Sequence, residues 1–208
     1  MIKGVVFDFG GVLFGSPLTH ISDLEQQIGA RPAQLSTLLA RSSETGAWGS
    51  FERGEIGLER FERDMNAELA EASLETSAVE LLKGASGKYN EALIRYIADD
   101  LKGRFKLAII TNNFQIASHQ EPLEKIRDYF DVVVESSKVG YRKPEPIIYD
   151  ITFSRLKLAP DEIVYIDDIG SNLRYPASRG ALTIKANTFS EVQRTLREVL
   201  IADQHTDN

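Results

Sequence analysis

Five short stretches of the chain are almost unbroken in apolar character: IKGVVFD (2–8), FKLAIIT (105–111), VVVE (132–135), IVYIDD (163–168) and ALTIKA (181–186). A strand with one wet face alternates apolar and polar residues. Continuous apolar runs of this length suit strands covered on both faces, as in a parallel sheet. From residue 88 onward the runs alternate with helical patterns. In YNEALIRYIADDLK (89–102), Leu93, Ile94 and Ile97 recur at helical spacing. PLEKIRDYF (122–130) and PIIYDITFSRL (146–156) each open beside a proline, which the first helical turn tolerates, and FSEVQRTLREVLIA (189–202) offers Ser190 as an N-cap. This β-α-β-α succession predicts an α/β fold built on a doubly wound, Rossmann-like parallel sheet.

Residues 16–87 interrupt the succession. LTHISDLEQQIG, QLSTLLARS and LERFERDMNAELA carry helical patterns with no strand candidate between them. The pattern predicts an α/β core of residues 1–15 and 88–208 and an all-helical insertion, or cap, over 16–87, with ASGKYN (85–90) as the return linker. Trp48 and Phe51 are expected to pack inside the insertion. ERGEIGLERFERD (52–64) reads as a solvated helix face, and DQHTDN (203–208) as a frayed polar tail.

Charge narrows the function. The net charge is −7, and residues 16–87 hold 12 acidic against 6 basic residues. A nucleic-acid surface needs clustered Lys and Arg, so none is expected. An anionic ligand must be held by local groups, because the overall field repels it. The sequence contains no Cys, which excludes disulfides, thiolate metal sites and cysteine nucleophiles. No apolar stretch approaches the ~18 residues of a membrane helix, and the first residues lack the pattern of a secretory signal. The expectations are a cytoplasmic protein, no membrane or nucleic-acid partner, and a small-molecule ligand.

Chemistry-bearing residues gather where the predicted strands end. Asp8 closes the first. Thr111, followed by Asn112 and Asn113, closes the second. Lys143 lies in VGYRKPEPIIY after the third, and Asp167 and Asp168 close the fourth, with Asn172 shortly after. Taken singly, each has an ordinary role: acids and Asn cap turns and helices, and a lysine is commonly solvated. Open α/β sheets bind ligands outside the carboxyl ends of their strands, where strand order reverses. Joint placement there makes these residues one candidate site. His20 and His119 have no partner pattern, and GGVLFG lacks the Gly-Lys-Ser/Thr of a phosphate-binding P-loop.

VVFDFGGVL, AIITNN, YRKPEPIIY and YIDDIGSN, in this order, resemble the four motifs of the haloacid dehalogenase-like (HAD) hydrolase superfamily. Within it the chain is most similar to the helical-cap branch that includes the phosphatase domain of soluble epoxide hydrolase and the N-terminal domain of acyl-CoA dehydrogenase-like proteins. The resemblance implies a Mg²⁺-dependent phosphatase acting on a small phosphorylated metabolite, with Asp8 as a nucleophile that forms an aspartyl-phosphate. It implies Mg²⁺ held by Asp8, the Gly10 carbonyl and Asp168, with Asp167 nearby or bound through water. Thr111 and Asn112 would hold phosphoryl oxygens, Lys143 would neutralise phosphate, and Asn172 would orient the acid pair. One position departs from the pattern. Many phosphatases of the superfamily carry an acid/base Asp two residues after the nucleophile, and here Gly10 stands in its place. A positioned acid–base contributes ~10²–10⁴-fold. Three readings therefore stay open: a phosphatase that is slow or restricted to good leaving groups, a dehalogenase, and a catalytically weak or inactive binding or regulatory domain.

Overall fold

The first strand, β1 (Gly4–Asp8), is buried at every position. It lies at the centre of a five-stranded sheet of order β3-β2-β1-β4-β5, in which every pairing is parallel. The other strands are β2 (Lys106–Thr111), β3 (Val132–Glu135), β4 (Ile163–Asp167) and β5 (Leu182–Lys185). The computed structural model describes residues 1–83 and 87–205. The chain winds from β1 outward through β2 to β3, then crosses back to lay β4 on the other side of β1. Strand order thus reverses between β1 and β4. The doubly wound α/β class read from the apolar runs is the fold.

Alternate residues of the strands feed two apolar layers, the consequence of the two-residue period of a strand. Val5, Phe7, Ile109 and Ile166 meet α6 (Glu91–Tyr96) and α11 (Phe189–His205). Val6, Ile110, Val134 and Tyr165 meet α9 (Pro146–Leu156) and α10 (Gly170–Ser178), and a short helix, α8 (Ser136–Val139), separates β3 from the turn before α9. At about 25 cal/mol per Å² of apolar surface, these two layers dominate the stability of the core and fix the level of the strand ends. Five helices, α1 (Pro17–Gln27), α2 (Gln34–Thr45), α3 (Ala47–Glu52), α4 (Leu58–Glu71) and α5 (Ala78–Leu82), separate β1 from α6. They bury a third apolar cluster that includes Leu35, Phe51, Phe61 and Met65, with Trp48 packed against it as the aromatic pattern suggested. Phe114, from the loop after β2, belongs to the same cluster and stacks on Phe51 at 4.8 Å.

Several local expectations change. Pattern 89–102 winds as an α-helix only to Tyr96 and continues as a π-helical turn, Ile97–Leu101. The helix expected to open at Pro122 is α7 (Ala117–Glu124), with that proline inside it. Thr188, not Ser190, takes the capping position of α11, its Oγ1 accepting from the Glu191 amide at 3.4 Å. That helix runs through His205, so residues 203–205 are helical rather than a frayed tail, and 206–208 lie outside the described residues. Of the expected linker 85–90, residues 85 and 86 also lie outside them. The run 52–64 is not one solvated helix face: it ends α3, turns at Gly54 and begins α4. Its first residue, Glu52, is buried and paired with Arg142 of the turn before α9, while Gly54, Glu55 and Gly57 after it stay exposed.

Candidate active site

Register decides which strand ends meet. Phe7 pairs with Ile166 and Asp8 with Ile110. Asp8 therefore stands level with Asp167 on one side and one step short of Thr111 on the other, at the point where strand order reverses. Lys143 arrives from the turn before α9. Its Nζ lies 2.7 Å from Asp8 Oδ1 and 2.8 Å from Asp167 Oδ2, and all three side chains are almost fully buried. Asp168, one residue beyond β4, is partly exposed. Oxygen atoms of Asp8, Asp167 and Asp168 all lie within 4.8 Å of one another. The residues singled out do converge, three of the groups from strand ends and Lys143 from a turn beyond the short helix that follows β3.

Each carboxylate has a different environment. Asp167 is saturated: Oδ2 accepts from Lys143, from the Tyr165 hydroxyl at 2.5 Å and from Asn172, and Oδ1 accepts from the Ile169 amide and again from Asn172. Asn172 orients this acid alone. Asp168 Oδ2 accepts from the Ser16 hydroxyl at 3.2 Å. On Asp8, both the Phe9 amide, at 2.6 Å, and Lys143 fall on Oδ1. Burial, the largest influence, pushes the Asp8 carboxyl well above the ordinary carboxylate range. Lys143 pulls it back, and Asp167 and Asp168 add repulsion. Burial, then Asp167, also raises Asp168. Burial opposes the charge of Lys143, but Asp167 and Asp8 outweigh it and hold the ammonium protonated. Three acids facing one ammonium leave an excess of negative charge in a poorly solvated place, which is costly unless a cation joins them. An all-oxygen donor set of this kind fits a hard divalent cation.

The expected phosphate-holding residues divide. Thr111 is buried, and its hydroxyl donates only a long 3.4 Å bond to the Asn112 carbonyl. The Asn112 side chain is closed into a reciprocal pair with the Lys143 backbone, donating to its carbonyl (3.0 Å) and accepting from its amide (2.8 Å). It clamps the turn that presents Lys143. The tight backbone after β1 also explains the glycine pair. Gly10 is not among the residues of positive φ, whereas Gly11 has φ 79°. A Cβ on Gly11 would lie 2.1 Å from Asp168 Oδ2. Gly11 is the position that admits no side chain. Beside it a cleft of about 570 Å³ borders Asp168 and is lined by Ser16, Thr19, Lys185, Asn187 and Thr188.

Sequence reading missed Tyr165 and Ser16. Tyr165 was legible in principle, since a residue two before Asp167 on a strand shares its face. Ser16 reaches Asp168 across 152 residues with no local signal. His20 bonds the Glu80 carbonyl, and His119 sits against Phe114 with burial lowering its basicity. Neither joins the acid cluster.

Asp8 at the end of β1, a lysine shared by two acids and a third acid just outside β4 lie together at the strand-order reversal of an α/β sheet. The family model for haloacid dehalogenase-like hydrolases matches residues 2–174, and the chain belongs to that family. It is 32% identical to acyl-CoA dehydrogenase family member 10 of Mus musculus, over 95% of this chain and 19% of that protein. It is 28% identical to bifunctional epoxide hydrolase 2 of Sus scrofa, over 95% of this chain and 39% of that protein. The chain thus spans about a fifth and two fifths of these relatives. D-ribitol-5-phosphate phosphatase of Bacteroides thetaiotaomicron is 26% identical, and the match covers 96% of this chain and 99% of that protein. Among solved structures, a HAD-like family hydrolase from Porphyromonas gingivalis superposes with TM-score 0.67 at 20% identity, over 95% of this chain and 98% of that one. A Bacteroides thetaiotaomicron HAD family enzyme in complex with magnesium and inorganic phosphate gives 0.64 at 19% identity, over 90% and 96%. These likenesses show the shared fold.

Proposed function

We propose that the protein is a Mg²⁺-dependent phosphatase acting on a small phosphorylated metabolite through an aspartyl-phosphate on Asp8. The observation that carries this is the Lys143 ammonium held between Asp8 and Asp167 at the strand-order reversal, with Asp168 beside them. Relatives named as a D-ribitol-5-phosphate phosphatase and a phosphorylated carbohydrates phosphatase, and a neighbour solved with magnesium and phosphate, support it.

The residues divide the work. Asp8 Oδ1 is occupied by Phe9 and Lys143, so Oδ2 is the oxygen that attacks phosphorus. The bond from phosphorus to the ester oxygen breaks, and that oxygen leaves with the electron pair and takes a proton from water. A second water then attacks phosphorus, the Asp8–phosphorus bond breaks, and phosphate and the carboxylate are released. Lys143 neutralises phosphoryl charge, Thr111 and the backbone N–H of Asn112 donate to phosphoryl oxygens, and Asn112's side chain keeps the lysine turn in place. Asp8, Asp168 and the Gly10 carbonyl would hold Mg²⁺, with Asp167 beside them, its oxygens committed to Lys143, Tyr165 and Asn172. Bound there, the cation supplies charge that offsets the acid excess and polarises the phosphoryl group. The helices of 16–87 would serve as the cap that excludes water from this chemistry.

Gly10 favours a second reading, a catalytically weak or inactive binding domain, because no acid/base stands two residues after Asp8. Phosphate release from p-nitrophenyl phosphate and a panel of metabolite phosphates separates the two. Release that needs Mg²⁺ and disappears in Asp8→Asn supports the phosphatase. No release above the Asp8→Asn background on any substrate overturns it.

A further inference from the structure

Arg142 and Glu52 take no part in the chemistry above, yet they form a deeply placed ion pair between the helical insertion and the core, with side chains only 12% and 8% exposed. Arg142 Nε donates to Glu52 Oε2 at 2.5 Å, and its Nη1 donates to the Ser43 carbonyl at 3.1 Å. Glu52 Oε1 accepts from Trp48 Nε1 at 3.0 Å, so both carboxylate oxygens are engaged. Arg53 adds a bond to Glu145 at 3.3 Å. Glu145 closes the turn by donating its amide to the Arg142 carbonyl at 2.8 Å.

This turn presents Lys143. It has no sheet partner, and two grips locate it: Asn112 from the core, and Glu52, Ser43 and Arg53 from the insertion. A buried ion pair contributes little net stability but is costly to break from one side. Its natural effect is to make one geometry much better than its neighbours. We infer that Glu52 and Arg142 are positioning residues for Lys143, so that the ammonium sits between Asp8 and Asp167 when the insertion is docked and leaves that place when the pair is broken.

Lysine-¹⁵Nζ spectroscopy reads this without turnover. In the parent protein a buried ammonium bonded to two carboxylates gives a slowly exchanging resonance, assigned by its loss in Lys143→Arg. In Glu52→Gln and in Arg142→Lys that resonance shifts or broadens, and amide exchange over residues 140–145 accelerates at least about tenfold. Trp48→Phe takes one hydrogen bond from Glu52, keeps both charges, and gives the same change to a smaller extent. The turnover arm rests on the phosphatase reading: kcat falls at least about tenfold in Glu52→Gln. An unchanged Lys143 resonance and unchanged exchange over 140–145, with faster exchange only within the insertion, overturn the inference. Should Glu52→Gln not fold, the same result in Trp48→Phe overturns it. A parent without phosphate release sinks the phosphatase reading, while resonance and exchange still decide this one.

Discussion

At the scale of single residues, the two glycines after Asp8 differ in what they do. Gly11 has a positive φ, and the Asp168 carboxylate occupies the space of its missing side chain. Gly11→Ala therefore combines a left-handed backbone cost of roughly 1–2 kcal/mol with displacement of Asp168. Urea denaturation should show that loss, and Mg²⁺ affinity should fall with it. Gly10 lies outside the left-handed region. Gly10→Asp should fold with the parent's midpoint and raise steady-state turnover by ~10²-fold, the low end for acid–base catalysis. Rapid-quench kinetics with acetyl phosphate check the mechanism. The parent should show a burst followed by slow breakdown of the aspartyl-phosphate, and Gly10→Asp should abolish the burst. A folded Gly10→Asp with no gain, beside a parent with no burst, contradicts the missing-base account.

At the scale of elements, the end of β3 is tied to its neighbours through one buried carboxylate. Glu135 accepts from Asn113 (2.8 Å), Arg127 (2.7 Å) and Lys138 (2.7 Å). Burial opposes its charge, yet Lys138, Asn113 and Arg127 outweigh that and hold its carboxyl below the ordinary glutamate value of 4.5. A depressed carboxyl contributes stability that is present above the unfolded value and lost as pH falls toward the folded one. The unfolding midpoint should decline as pH drops below about 4.5, and Glu135→Gln should flatten that decline while lowering stability at neutral pH. A second element-level feature is the crossing of the segment after β1 with the segment before α6. Gly15 and Gly87 cross so closely that a Cβ on Gly15 would sit 2.9 Å from Gly87 Cα. The Asn90 amide donates to the Leu13 carbonyl at 2.9 Å beside them. Beryllofluoride with Mg²⁺ should slow amide exchange over 12–16, 87–90 and the face of α3 toward the core. Unchanged exchange would count against a cap that closes.

At the scale of the whole molecule, the fold gathers acids that its net charge of −7 does nothing to neutralise. A cation that binds only the folded chain must then stabilise all of it. Mg²⁺ at a hundred times its dissociation constant should add about 2.7 kcal/mol, visible as a rise in thermal midpoint that EDTA reverses. Asp168→Ala should remove the rise and leave the metal-free midpoint at or above the parent's, since its Oδ2 bonds only weakly to Ser16 and its loss relieves repulsion from Asp167. An undiminished rise in that variant would show that the metal lies elsewhere. Among the described residues no helix is long and apolar enough to cross a membrane.

What the chain states locally, it states in sequence. Continuous apolar runs named all five strands because burial on both faces leaves no polar positions to blur the period. The acids at the ends of β1 and β4 were legible for the same reason, as charges placed where a buried run stops, and Lys143 was legible from its motif, eight residues past β3. Helix limits near Pro122 and Ser190 were not, since packing and a neighbouring threonine overrode local preference. Tertiary structure alone decided what is non-local. The register Phe7–Ile166 sets Asp8 level with Asp167, the Asn112–Lys143 clamp commits an amide to the backbone, and Glu52 turns from an apparent surface acid into the buried partner of Arg142, 90 residues away. Such contacts depend on which surfaces the folded layers bring together, and no periodicity in the chain encodes them.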